Sequence, residues 1–183
     1  MNQKLKTAFA FAKNIFETGA ITETSREVEI DICKHLSNAK GKVFVEFGIG
    51  HGNITQEILN SISHTSKLYA FEVNKEFCEH VRETITDERL IVINDGAEQV
   101  KKYVKGPVSG VVSSIPFSFF SNEKAKIILE NAYELLENES YFSQVLYTKF
   151  NFKKFQMVFD ECKLTSNKKL LTEYIYHCKK ITV

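Results

Sequence analysis

Several large protein classes are closed to this chain by what it lacks. No stretch approaches the ~20 uninterrupted apolar residues of a membrane-spanning helix, and no cleavable-leader pattern follows Met1. The expected setting is therefore cytoplasmic, with peripheral contact at the inner face of a membrane as its only membrane option. An excess of one charge is also missing: 24 Lys and Arg stand against 23 Asp and Glu, a formal net charge of +1. That is not the basic surplus of a dedicated nucleic-acid binder, so a small or locally recognised substrate is expected. Cysteine is sparse. Cys33, Cys78, Cys162 and Cys178 show neither C-x-x-C spacing nor a neighbouring histidine cluster and are expected as buried thiols in a reducing compartment. His35, His64, His80 and His177 lack ligand spacing to cysteines or carboxylates, so no metal is predicted. Proline occurs twice, and repeats and low-complexity linkers are absent. With 183 residues and 43% hydrophobic content, the chain can bury one substantial core and has no room for a second domain.

What is present begins at Val43 to Thr55, V-F-V-E-F-G-I-G-H-G-N-I-T. A β-rich run meets three alternating glycines, Gly48, Gly50 and Gly52, and then opens an apolar-periodic helix. Glycines at such a junction let the backbone turn sharply and leave bare peptide groups at a helix N-terminus for a nucleotide-like ligand. The dinucleotide fingerprint needs a glycine where Asn53 stands, so the pattern is E-x-G-x-G-x-G with Glu46 at its head. This resembles motif I of the S-adenosylmethionine (SAM)-dependent methyltransferases.

Three downstream segments fit the same reading. Leu68 to Glu72 is an apolar strand ending in a carboxylate twenty residues beyond Gly52, placed to accept hydrogen bonds from ribose hydroxyls. Leu90 to Ile93 is another strand, ending in Asn94-Asp95-Gly96-Ala97, where Asp95 is placed to receive an adenine amino group. Val111 to Phe117 ends a fourth strand in Ser113-Ser114-Ile115-Pro116, and proline stiffens such a loop. The resemblance implies cofactor contacts at Glu46, Gly48, Gly50, Gly52, Glu72, Val73, Asp95, Gly96, Ala97 and Ser113. It implies a methyl-transfer site at Ser113, Ile115, Pro116 and Tyr147.

Strand and helix periodicities alternate from Val43 to about Glu137, the pattern of a parallel sheet covered on both faces. A helix is predicted over Asn122 to Glu137, with Ser121 as N-cap and Ala125, Ile128, Leu129, Ala132, Leu135 and Leu136 on one stripe. Tyr141 to Thr148 reads as a fifth strand, Phe152 to Phe159 as a short helix, and Lys163 to Lys180 as two more strands. The fold class implied is α/β, a Rossmann-like class I methyltransferase: a seven-stranded, mostly parallel sheet with an antiparallel last strand. Residues 41–183 would form this core, and residues 1–40 a helical extension over the cofactor site.

The extension carries the substrate clue. Leu5, Ala8, Phe9, Ala12, Ile15 and Phe16 gather on one side of a helical wheel and Lys6, Thr7, Lys13 and Asn14 on the other. Residues 1–16 hold three lysines and no acid, which suits an interfacial helix on an anionic bilayer as well as a helix covering a sheet edge. Thr24 and Glu27 then form a capping-box pattern, and Arg26 is a candidate for a cofactor carboxylate or a lipid phosphate.

The order of amphipathic helix, T-G-A-I, T-S-R and motif I resembles the bacterial phospholipid N-methyltransferases. Ser113, Ile115 and Pro116 match that family's Ser-Gly-Leu-Pro type motif with Ser114 in place of glycine, and Gln144 and Tyr147 match a Gln-x-x-Tyr pattern. The family's C-terminal Asn-x-Pro-Pro is replaced by Leu170-Leu171-Thr172-Glu173. The resemblance implies SAM as cofactor and phosphatidylethanolamine as acceptor. The ribosomal RNA adenine dimethyltransferases are a second resemblance, through Ser-x-Ile-Pro-Phe, and imply an adenine stacked on the aromatic ring. A third possibility is a SAM-binding, membrane-associated module without turnover.

Overall fold

The computed structural model describes residues 25–146, 151–168 and 172–181. The amphipathic helix expected at 1–16, the turn leading to Thr24, and Tyr147 lie outside the described residues. Four short apolar runs become parallel strands: β1 (Val43–Phe47), β2 (Lys67–Phe71), β3 (Leu90–Ile93) and β4 (Gly110–Ser113). They are joined by β5 (Tyr141–Leu146), β6 (Glu161–Lys168) and β7 (Thr172–Lys179) in one sheet of order β3-β2-β1-β4-β5-β7-β6. β7 runs antiparallel to both its neighbours, so the last strand is the reversed one, as expected.

Side chains alternate across the sheet with the strand period of two, and both faces are apolar, as buried parallel strands require. On one face Val45, Phe47, Val111 and Phe142 pack against α4 (Val100–Tyr103), α5 (Asn122–Leu135) and α6 (Phe152–Gln156). On the other, Phe44, Leu68 and Val112 pack against α1 (Arg26–Cys33), α2 (Asn53–Ser61) and α3 (Lys75–Thr84). Ser121 caps α5 as expected, its hydroxyl accepting from the Lys124 N–H at 3.2 Å. That helix ends at Leu135, two residues early, while Leu136 leaves the helix and stays buried.

Ser25 is the N-cap of α1 and its hydroxyl donates to Glu173 of β7 at 3.3 Å, while Thr24, the expected head of a capping box, lies outside the described residues. One expectation is corrected. The four buried thiols become two: Cys33 and Cys78 are free and buried, whereas Cys162 and Cys178 are joined in a disulfide. The antiparallel β6–β7 register places those two opposite one another, with Cα atoms 4.1 Å apart, a pairing that their spacing in sequence does not reveal.

Candidate functional site

The chain leaves β1 toward β2 and β3 on one side and returns to β4 on the other. Loops at the C-terminal ends of β1 and β4 therefore diverge and open a crevice, where ligands of open α/β sheets bind. The glycine loop lies at this crevice. Gly48 has a φ of 86° and donates its N–H to the Phe71 carbonyl of β2 at 2.9 Å. Gly52, at φ 91°, is the N-cap of α2 and has Val81 and Ile85 packed where a Cβ would stand. Only glycine adopts these angles without strain, so the loop bends back against β2, with the N–H groups of Gly48, Gly50 and Gly52 donated to Phe71, Glu72 and Ile49 respectively.

Two carboxylates serve this loop. Glu46 is 1% exposed; its Oε2 accepts from the Thr55 hydroxyl at 2.7 Å, and its Oε1 has no hydrogen-bond partner. Burial pushes its carboxyl up to about 8, the Thr55 hydroxyl pulls it back, and the nearby charge of Glu72 raises it further. Glu72 follows the tip of β2. Its oxygens accept from the N–H groups of Asn74 at 2.8 Å and Gly50 at 3.3 Å, so this side chain ties the second strand end to the glycine loop. Burial raises its carboxyl, and these backbone N–H groups oppose the rise. Val73 beside it is an apolar side chain 54% exposed, facing solvent at the rim.

Asp95 stands beyond β3. One oxygen accepts from the Gly96 N–H at 2.8 Å and the other from the Tyr103 hydroxyl at 2.7 Å. The Tyr103 bond is the main reason its carboxyl lies below the ordinary range. Gly96 and Ala97 are buried at the start of the turn that follows. Asp95 is thus fixed in position as an acceptor, with lone pairs remaining for a donor.

The loop after β4 faces the glycine loop. Ser113 is fully buried and its hydroxyl has no partner. Ser114 donates its hydroxyl to the Gly48 carbonyl at 2.8 Å and its N–H to the Phe47 carbonyl at 2.9 Å. The serine that departs from the family pattern therefore locks the two loops together. Ile115 is half-buried and Pro116 exposed. Two buried amides hold this loop from the side: Gln144 of β5 donates to the Ile115 carbonyl at 3.1 Å, and Asn151 to the Ser118 hydroxyl at 2.9 Å. Thr55, Ser114, Tyr103 and Asn151 were not legible as site residues, since each acts through a contact distant in sequence. Gln144 was visible only through a family pattern.

Arg26, offered as a candidate for a cofactor carboxylate or lipid phosphate, is engaged within the protein. Arg26 pairs with Glu29 at 3.1 Å and Glu57 at 2.5 Å, fastening α1 to α2. His51, exposed in the glycine loop, meets the ring of Phe77 edge-on at 4.9 Å between centroids. Among the described residues no group of three or more His, Cys, Asp or Glu side chains is placed to hold a metal ion.

No protein-family model matches the chain. An uncharacterized methyltransferase of Geobacillus sp. (strain WCH70) is 29% identical over 94 residues, which is 51% of this chain and 42% of that protein. The match thus spans about two fifths of that relative's length. Among solved structures, an rRNA methylase from Streptococcus thermophilus superposes with a TM-score of 0.70 at 16% identity, covering 88% of this chain and 99% of that one. A Streptococcus mutans protein in complex with SAH, the demethylated form of SAM, gives 0.69 at 17%, covering 88% of this chain and 100% of that one. With its seven strands, its single reversed strand and its glycine loop at the switch point, the chain has the fold of the class I SAM-dependent methyltransferases.

Proposed function

We propose that the chain is a SAM-dependent N-methyltransferase whose acceptor is the amine of a phosphatidylethanolamine head group. The observation that carries the methyl-transfer reading is the juxtaposition at the strand ends of a glycine loop, the buried Glu46 and half-buried Glu72 carboxylates, and an unpartnered Ser113 hydroxyl. The residues fit the cofactor. The orphaned Glu46 Oε1 would take its ammonium group, the glycine loop its amino-acid portion, and Glu72 its ribose. Val73, Gly96 and Ala97 would flank the base, with Asp95 as acceptor for its amino group. SAM bound there supplies a methyl group on a sulfonium, already activated for transfer.

The rest falls to the loop after β4. It must hold a neutral amine in line and keep water out, and alignment of two reactants is worth roughly 7 to 11 kcal/mol of barrier. An ammonium also has to lose its proton, to solvent before the site closes, and desolvation of the amine favours that loss. Ser113 would take an N–H donor of the acceptor, Ile115 would wall the site beside it, and Pro116 would stiffen the loop that carries them. Tyr147 would meet the methylated cation with its ring. The lipid acceptor rests on the sequence pattern of Ser113, Ile115 and Pro116 and on the cationic amphipathic segment 1–16, which would bring the site to an anionic membrane.

The second reading, an adenine N6-methyltransferase of ribosomal RNA, draws support from the likeness to the S. thermophilus rRNA methylase. It needs an aromatic stacking platform after the proline. Phe117 is fully buried, its ring 5.0 Å from that of Phe155, and is committed to the core. The test is incubation with methyl-labelled SAM and either phosphatidylethanolamine vesicles or ribosomal RNA. Label is expected in the lipid extract; label in RNA alone replaces the reading with the second, and cofactor binding without transfer replaces both with a non-catalytic module.

Glu46 gives the cofactor fit a pH signature. Its carboxyl, pushed up to about 8, is mostly protonated at pH 7 in the free protein, and an ammonium beside it favours the charged form. SAH binding at pH 7 is therefore expected to release up to about one proton, with the release vanishing above pH 9 and in Glu46→Gln. Calorimetry in two buffers of different ionisation heat reads this directly. A heat that does not depend on the buffer removes Glu46 from the ammonium role. The same shift makes this group a liability to folding as pH rises: its folded value exceeds the ordinary 4.5, so its contribution falls between pH 4.5 and about 8.

A further inference from the structure

Gln144 leaves one polar atom unexplained. It lies on β5 with Ser113 of β4 as its register partner, and parallel partners direct their side chains to the same face of the sheet. Its amide nitrogen donates to the Ile115 carbonyl at 3.1 Å and to the Val145 carbonyl at 2.6 Å, which uses both hydrogens. These two carbonyls also fix which way the amide points, because the reverse arrangement would set its oxygen against two other oxygens. The atom left over is thus the carboxamide oxygen, and it is buried, as is the whole of Gln144, with no hydrogen-bond partner. The neighbouring Ser113 hydroxyl is in the same condition.

A buried acceptor without a donor has lost its hydration and gained nothing in return, so a glutamine kept only to grip the Ile115 carbonyl would carry a standing penalty. The penalty disappears when a ligand brings the missing donor. We infer that the Gln144 oxygen and the Ser113 hydroxyl form a two-point cage for the N–H groups of the methyl acceptor, so that the site selects a primary amine. This rests on the N-methyltransferase reading and sharpens it: two buried oxygens call for two N–H donors on one nitrogen. An alcohol offers only one. Gln144 thereby has two roles at its two ends, with the nitrogen positioning the loop and the oxygen receiving substrate.

The test needs no acceptor. Sinefungin carries an amine-bearing carbon where SAM carries its methylsulfonium, so it places N–H donors at the transfer point, whereas SAH places none. Wild type is expected to bind sinefungin at least tenfold more tightly than SAH. Gln144→Met, near in shape and without either polar group, should erase that preference while SAH affinity stays within about threefold. Gln144→Glu, held as the neutral acid by burial, gives its O–H to one of the two carbonyls, keeps the other oxygen in place and should retain most of the preference. The cage is overturned if wild type shows no preference, if Gln144→Met leaves it intact, or if Gln144→Glu loses it as completely as methionine does, which would reduce Gln144 to a loop clamp. Should the methionine protein fail to bind SAH at all, the glutamate variant decides. Labelling of phosphatidylethanolamine by wild type judges the parent reading separately, since it can succeed while the sinefungin preference ignores Gln144.

Discussion

Glu72→Ala is expected to weaken SAH binding at least a hundredfold in calorimetry, with the fold retained by circular dichroism. Two effects add. A carboxylate accepting from both hydroxyls of a ribose forms two charge-assisted bonds, each worth about 1.5–3 kcal/mol, and about 1.4 kcal/mol is tenfold in affinity. The same side chain also fastens Gly50 and Asn74, at 3.3 and 2.8 Å, so its removal loosens the loop that must receive the rest of the ligand. Glu72→Gln separates the two: an amide oxygen can still accept from the backbone, but the charge is gone, and about a tenfold loss is expected. An alanine variant that binds SAH as wild type does would take Glu72 out of the ribose role and leave it a loop tether.

The division between what the sequence discloses and what it withholds follows the range of the interactions involved. Strands β1 to β4 were legible because a strand buried on both faces must be almost wholly apolar, and such runs stand out between helical periods. Glu72 and Asp95 were legible as strand-end carboxylates because each follows an apolar run. Long-range partners left no such mark. Ser114 looked like a defect in a glycine position, and in the fold it bonds the Gly48 carbonyl across 66 residues of chain. Ser25 carried no signal of its own, and its hydroxyl reaches Glu173, 148 residues away. Cys162 and Cys178 were read as separate thiols because register, which opposes them, is set by the pairing of β6 with β7 and not by either segment alone. Phe117 followed the proline at the place of a stacking ring, yet its burial against Phe155 was decided by a helix 35 residues on.

The coupling between the two loops sets up the second large effect, at Gly48. A Cβ there would lie 2.9 Å from the Ser114 hydroxyl oxygen and 3.0 Å from Ile115 Cγ2, on a backbone already at φ 86°. Left-handed backbone costs an L-residue about 1–2 kcal/mol. The contacts add to it, because neither loop can withdraw without breaking the Ser114 bond to the Gly48 carbonyl. Gly48→Ala is therefore expected to lose about 3 kcal/mol of stability, a fall of roughly 6–12 °C in Tm for a chain of this size, and to lose SAH binding with it. Gly41 is the control, since at φ 68° it has nothing within 4 Å of where a Cβ would stand. Gly41→Ala should show the backbone term alone and leave SAH affinity unchanged. Combining Gly48→Ala with Ser114→Gly removes the nearer of the two contacts and should cost at least about 1 kcal/mol less than the sum of the two single losses, a coupling of the size expected for touching residues. Equal losses at Gly41 and Gly48, with no recovery in the double variant, would mean that the backbone angle alone demands glycine at 48 and that packing between the two loops contributes nothing there.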